Sequence, residues 1–179
     1  MSAGKNRTST PSWKWEIISL DFVTGLPKNQ NLNDSIMVVV DKLSKSAHFI
    51  PVKTMYKAAN IADIFLKQIF RLHGIPKVII SDRDPKFTGK FWKSLFKGLN
   101  TTLNFSTSFH PQTDGQIERV NQVLEDLLRM YVKDQRGKWK DYLHLVEFSY
   151  NNNYQASARF SPFQILYGGK CNTPISWID

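Results

Sequence analysis

The alternation of apolar and polar residues divides this chain into nine main segments and a short terminal one. "WEIISLDFVTGLP" is rich in β-branched and aromatic residues and stops at Gly25 and Pro27, which predicts a strand. After the turn "KNQNLND", the run "SIMVVVD" is apolar almost throughout, as expected of a strand covered on both faces. "SAHFIPVK" predicts a third strand, and Pro51 within it points to a sheet edge, because proline brings no N–H to a ladder. Short turns join the three, so an antiparallel meander is expected.

The period then changes. In "AANIADIFLKQIFRLHG", Ile61, Ile64, Phe65, Ile69 and Leu72 recur at helical spacing, and Gly74 ends the run. "PKVIIS" predicts a buried strand leading into Asp82, "TGKFWKSLFKGLN" an amphipathic helix and "TTLNFST" a short strand. The segment from Pro111 to Gly115 reads as a loop. From about Gln116, Ile117, Val120, Leu124, Leu127 and Tyr131 form a long apolar stripe. "GKWKDYLHLVEFSYNN" predicts another helix. "SPFQILYG" predicts a short one, with Ser161 as its N-cap and Pro162 at its first position. The order is β-β-β-α-β-α-β-α-α with a small terminal helix. A meander feeding strand–helix units gives an α/β fold with a mixed sheet and helices on its faces. Ligands of such sheets gather at strand carboxyl ends.

Three acids sit badly in this pattern. Asp21 lies inside an apolar strand, where an unpaired carboxylate would cost several kcal/mol. Asp82 ends another buried strand. Glu118 lies in the first turn of the long helix, beside the apolar stripe, and shares its face with Asn121, Gln122 and Glu125. Each has an ordinary role open to it: Asp21 could pair with a lysine or arginine, Asp82 could begin a turn, and Glu118 could serve the helix dipole. One arrangement accounts for all three together. Two strand-borne aspartates and a helix-borne glutamate can hold a pair of Mg²⁺ ions, which prefer oxygen ligands and keep several waters. Two such ions can activate an attacking oxygen and stabilise a leaving one in phosphodiester chemistry, with no covalent protein nucleophile.

Composition narrows the setting. The chain has 179 residues, 41% of them hydrophobic, which suits one packed domain. A single cysteine, Cys171, excludes an internal disulfide and a cysteine-based zinc site, and fits a reducing compartment. No apolar run reaches the roughly 18 residues of a membrane span, and "MSAGKNRTST" lacks a signal-peptide core. Residues 1–12 read as a flexible tail and 13–179 as the folded domain. The net charge of +9 lies mostly in the folded part, a footprint suited to a polyanion such as nucleic acid.

The order of strand aspartate, strand-end aspartate and helix glutamate resembles the DDE catalytic core of retroviral and retrotransposon integrases. Asp82 and Glu118 have 35 residues between them, as in that family's best-known spacing. "WEIISLDFVTGLP", "IISDRDPKFTGKFWKSLF", "SFHPQTDGQIERVNQVLEDLLR" and "SPFQILYG" look like the successive motifs of gypsy-type LTR retrotransposon integrases, over about residues 13–175. The resemblance implies a ribonuclease-H-like fold with a five-stranded mixed sheet flanked by helices. It also implies a polynucleotidyl transferase using two Mg²⁺ ions, or Mn²⁺, that joins element DNA 3′ ends to target DNA, some members first trimming those ends. Asp21 would bridge both ions, Asp82 would ligate one and Glu118 the other.

Double-stranded DNA, as element ends and target, is the partner implied. DNA contacts are expected at His110, Gln112, Gln116, Arg119, Asn121 and Gln122, with Arg83 and Lys86 as alternative phosphate contacts. Retroviral members often carry lysines on the glutamate helix, where this chain has Gln122 and Glu125, so a lysine-driven grip there is in doubt. Asp84 reads as a turn residue, Asp41 has no matching motif role, and Asp114 is a poor ligand. His48 and His73 read as packing or surface residues. Family members usually carry a zinc domain before the core and a DNA- or chromatin-binding domain after it, so an isolated core is expected here. A homodimer or higher oligomer is implied, with Trp139, Tyr142 and Phe148 supplying apolar surface or lying buried in the monomer. So is a nuclear site of action after a cytoplasmic particle stage. Two other readings stand beside this one: a ribonuclease-H-like nuclease, against which the third and fourth motifs argue, and a domesticated, inactive DNA-binding or oligomerisation module.

Overall fold

The computed structural model describes residues 10–105 and 111–153, with the backbone alone for 111–116. Five strands, β1 (Ile17–Val23), β2 (Ser35–Asp41), β3 (Ala47–Val52), β4 (Val78–Ser81) and β5 (Thr102–Phe105), form one sheet in the order β3-β2-β1-β4-β5. The β1-β2-β3 meander is antiparallel, and β4 and β5 add in parallel to β1. This is the expected mixed sheet, with the proline-bearing strand at its edge. The helices are α1 (Ala58–Phe65), α2 (Arg71–His73), α3 (Pro85–Thr88), α4 (Lys90–Gly98), α5 (Pro111–Val132) and α6 (Trp139–Asn152). The predicted "SPFQILYG" helix and Cys171 lie outside the described residues.

Period-two alternation sorts the sheet into two cores. Met37 and Val39 of β2 point to one face, where Ile61 and Phe65 of α1 and Trp92 and Phe96 of α4 cover them. Ile36, Val38 and Val40 point to the other, under Val120, Leu124 and Leu128 of α5 and Leu143 and Val146 of α6. All of β2 is buried for that reason. Of the three aromatics open to a surface or a buried place, Trp139 is buried with its indole N–H donating to the Pro27 carbonyl at 2.7 Å; Tyr142 and Phe148 are half-buried.

Two boundaries differ from expectation. The helix predicted over 58–74 contains a π-turn, Leu66–Phe70, between α1 and α2. The extra residue shifts the phase of the apolar stripe, so Ile69 stays buried while Leu72 is left exposed. Helix α5 begins at Pro111 rather than near Gln116. Proline suits a first turn, where its missing N–H has no helical partner, and Gly115 inside the helix costs only about 1 kcal/mol.

The outer edge of β3 is closed by α6. The Asn151 carboxamide accepts from the Ala47 N–H at 2.8 Å and donates to the Ala47 carbonyl at 2.9 Å. One turn earlier, Glu147 accepts from the Phe49 N–H at 2.7 Å. The next outward position is Pro51, which has no N–H to satisfy. A helix thus caps an edge that would otherwise present free donors. Asn151→Ala strips two buried backbone groups of their partners, and a stability loss of about 2–3 kcal/mol is expected in chemical denaturation.

His48 and His73 are packing residues, as expected. Their Nε2 atoms lie 2.8 Å apart, and the Trp15 indole stacks on His73 with ring centroids 3.8 Å apart. Burial, and then the neighbouring His48, hold His73 down at about 4. A histidine less basic in the folded state than in the unfolded one favours folding only while neutral. Stability should therefore be full above about pH 6.5 and fall as the pH drops toward 4. Thermal melts of His73→Gln against the parent should show a flatter dependence across that window.

Candidate active site

The first two acids are brought together by strand register. Parallel pairing sets Ile18 beside Ile79 and Leu20 beside Ser81. The next residues are Asp21, still within β1, and Asp82, just past the end of β4, whose charge acts on Asp21. Alternation then fixes the direction of Asp21. Ile18 and Leu20 belong to the core under α1 and α4, so the intervening parity of β1, which includes Asp21, faces the α5 side.

Asp21 is half-buried and held at both oxygens. Its Oδ1 accepts from the Phe22 N–H at 2.8 Å, and its Oδ2 accepts from the Asn121 side-chain amide of α5, also at 2.8 Å. Burial raises its carboxyl above the ordinary aspartate range. The two hydrogen bonds oppose that rise, and the negative charges of Asp82 and Asp84 add to it. No lysine or arginine pairs with Asp21 among the described residues. A carboxylate so placed is a group in want of a cation.

Asp82 is exposed at the end of β4, and its Oδ1 accepts from the Asp84 N–H at 3.0 Å. Asp84 is the N-cap of α3, accepting from the Lys86 N–H at 2.8 Å, which is the turn role expected of it. Glu118 stands on α5 one turn before Asn121, exposed. The Asn121–Asp21 bond brings this helix face to the aspartates, but it does not close the cluster. Among the described residues no three acidic or histidine side chains lie close enough to hold a metal ion together. The structure thus brings Asp21 and Asp82 together and leaves Glu118 on the facing helix.

The donor set fits a hard divalent cation. It offers carboxylate oxygens from two adjoining strand ends, a third carboxylate on the facing helix and no thiol or imidazole. The Asn121 Oδ1 is buried with no partner among the described residues, a further oxygen at the same place.

The expected DNA-contact residues separate. Asn121 is tied to Asp21, a contact between residues 100 positions apart that local sequence pattern does not signal. Gln122 donates to Asp126 at 3.0 Å along its own helix. Arg119 and Arg83 are exposed. Lys86 reaches over the Phe22 ring, 5.3 Å from its centroid, and lies 4.0 Å from Asp84. His110 and the side chains of Gln112, Asp114 and Gln116 lie outside the described residues. Asp41, which had no assigned role, is fully buried and structural: it accepts from the Trp15 N–H at 2.9 Å, the Ser44 N–H at 3.0 Å and the Ser44 hydroxyl at 2.6 Å.

No family model matches the chain. Over 153 residues it is 39% identical to the Transposon Tf2-3 polyprotein of Schizosaccharomyces pombe, and equally to the Tf2-4 polyprotein. The match covers 86% of this chain and 11% of each polyprotein, so the chain spans about a tenth of the length of these relatives. Among solved structures, it is similar to the HTLV-2 integrase catalytic core domain in complex with magnesium, with a TM-score of 0.67 and 19% identity, covering 84% of this chain and 95% of that one. The BIV integrase catalytic core domain gives a TM-score of 0.65 at 21% identity, covering 84% and 93%. A chain of the simian T-cell lymphotropic virus intasome in complex with PP2A regulatory subunit B56 gamma gives 0.71 at 19%, covering 89% and 56%.

Proposed function

We propose that this chain, which belongs with the integrase catalytic cores of gypsy-type LTR retrotransposons, is a metal-dependent polynucleotidyl transferase that joins element DNA 3′ ends to target DNA. The observation that carries the proposal is the parallel β1–β4 register. It ends at Leu20 and Ser81, the residues just before Asp21 and Asp82, so both acids lie at one sheet edge, with Glu118 one turn from the residue that holds Asp21.

Asp21, Asp82 and Glu118 would hold two Mg²⁺ ions, or Mn²⁺. Such ions, when bound, supply charge neutralisation at the attacked phosphodiester and a more reactive attacking oxygen. The HTLV-2 core of similar fold was solved with magnesium, which supports that choice of cation. The chain's own residues do the positioning. Asn121 fixes the Asp21 carboxylate through Oδ2 and the Phe22 amide fixes it through Oδ1, so the ligand needs little reorganisation. Asp84 ties the turn after Asp82. The partner implied is double-stranded DNA, approached as a homodimer or higher oligomer, in keeping with the dimeric and trimeric forms of the HTLV-2 core of similar fold; the site of action would be the nucleus. The same site geometry could cleave end nucleotides with water as nucleophile.

The test is joining of a short donor duplex to a second duplex with Mg²⁺ or Mn²⁺. Joining by the parent chain and its loss in Glu118→Gln are expected. Hydrolysis of RNA in hybrids without joining would favour a nuclease. DNA binding with no metal-dependent turnover at all would favour the inactive module. Asn121→Ala is expected to lower joining by about tenfold and to raise the Mn²⁺ concentration needed for half-maximal rate, as loss of an outer-shell partner does; unchanged Mn²⁺ dependence would contradict its positioning role.

A further inference from the structure

The segment after the second aspartate carries charge that the carboxylate site leaves unused. Between Asp84 and Asp114 the sequence has no acidic residue, while Lys86, Lys90, Lys93 and Lys97 fall there. Topology places them. Strands β4 and β5 are parallel, so the chain between them must recross the sheet, and α4 runs from the carboxyl-terminal edge back to the amino-terminal one. Its far end is marked by the Thr101 hydroxyl donating to the Pro76 carbonyl at 2.7 Å, just before β4 and β5 begin. Lys90 and Lys93, in the first turn of α4, therefore lie at the edge that holds Asp21 and Asp82, and Lys97 lies toward the other.

Two aromatic rings fix the line further. The Lys93 ammonium lies 5.7 Å from the centroid of Phe105, the last residue of β5. The Lys86 ammonium lies 5.3 Å from that of Phe22, next to Asp21 on β1. Both rings belong to the core under α1 and α4, so these two cations border the end of β4 on that face of the sheet, over two strand spacings or about 10 Å. In each contact the ammonium itself lies over the ring, which restricts where the charge sits. Lys90 and Lys93 are exposed, share one helix face, and have no acidic partner among the described residues. A centre made of carboxylates repels a polyanion; the two cations Lys90 and Lys93, unpaired among the described residues and at the same sheet edge, offset that repulsion.

We propose that Lys90 and Lys93 bind the phosphodiester backbone of duplex DNA on the β5 side of the carboxylates, with Lys86 completing the line. The inference rests on the strand-transferase reading and specifies where a duplex lies against that site. Contacts of this kind orient a duplex and carry no sequence preference.

The test is binding of the full chain to a fluorescent random-sequence duplex of about 30 base pairs, in EDTA, over a range of NaCl. Lys90→Ala/Lys93→Ala should make the log–log salt dependence shallower by about 2 and weaken binding by about tenfold at moderate salt. Lys90→Arg/Lys93→Arg should keep the parent slope. Lys42→Ala/Lys97→Ala removes the same charge at the opposite edge, where Lys42 follows β2 and Lys97 lies toward the far end of α4, and should leave the slope close to the parent's. Equal losses in the two alanine pairs, an unchanged slope in the first pair, or no duplex binding by the parent chain would each overturn the proposal. With no divalent ion present, the result is independent of joining. A chain that binds through these lysines but never joins contradicts the functional reading alone, and one that joins with an unaltered slope contradicts this inference alone.

Discussion

Asp21→Asn is expected to abolish Mg²⁺-dependent strand joining, by about 10³-fold or more, while leaving the melting temperature unchanged or slightly raised. The two halves of the result have one cause. The Asp21 carboxylate is half-buried, with Asp82 and Asp84 as negative neighbours and no basic partner among the described residues, so its charge is a burden on the apo fold. An asparagine of the same shape removes that charge. It still accepts from the Phe22 N–H through its oxygen, and a flipped Asn121 carboxamide can accept from its nitrogen. The fold loses little. The site loses the anionic oxygen expected to touch both cations, and about 4 kcal/mol of transition-state stabilisation corresponds to the rate effect. Parallel melts and joining assays check both halves. A marked drop in melting temperature would mean that Asp21 serves the fold.

Asp41→Ala is expected to show the opposite signature: a stability loss of about 3–5 kcal/mol, roughly 10 °C in melting temperature, with joining retained at low temperature. Asp41 also ends an apolar strand, but it is fully buried and surrounded by donors. The Trp15 N–H, the Ser44 N–H and the Ser44 hydroxyl all point at its oxygens, with the Leu43 N–H at 3.4 Å. Removing the carboxylate orphans these donors and releases both the β2–β3 turn and the segment entering β1. Asp41→Asn should also destabilise, by about 2 kcal/mol, because its NH₂ would face donors. Denaturation of the two variants against Asp21→Asn is the check, and an Asp41→Asn chain as stable as the parent would contradict this assignment.

These two aspartates mark what the sequence can and cannot say. Both read as acids ending or interrupting apolar strands. The motif around Asp21 separates them by resemblance, but the physical difference lies in partners that sequence pattern does not announce. Those of Asp41 are largely backbone amides, one of them 26 residues away, and those of Asp21 include a side chain 100 residues away. The meander, the edge position of β3 and the double burial of β2 were legible because a proline, short turns and unbroken apolar runs act locally. The π-turn was not, since "FLKQIF" suits an α-helix as well, and Leu72 was therefore placed on the wrong face. Helix α5 begins five residues early for a similar reason: Pro111 and Gly115 read as breakers, yet proline is at home in a first turn. An exposed basic face is usual for a surface helix, so sequence pattern does not single out the α4 lysines. Only the parallel β4–β5 crossover shows that the first turn of α4 lies at the edge holding Asp82.

The central claim, that Asp21, Asp82 and Glu118 share divalent cations, is tested most directly by titrating Mn²⁺ into the folded parent chain and its single carboxamide variants, with bound ion read by electron paramagnetic resonance. Saturable binding by the parent is expected, weakened at least about tenfold by Asp21→Asn and by Asp82→Asn, and weakened by Glu118→Gln once a DNA duplex is present. Parent-like Mn²⁺ affinity in all three variants would contradict it.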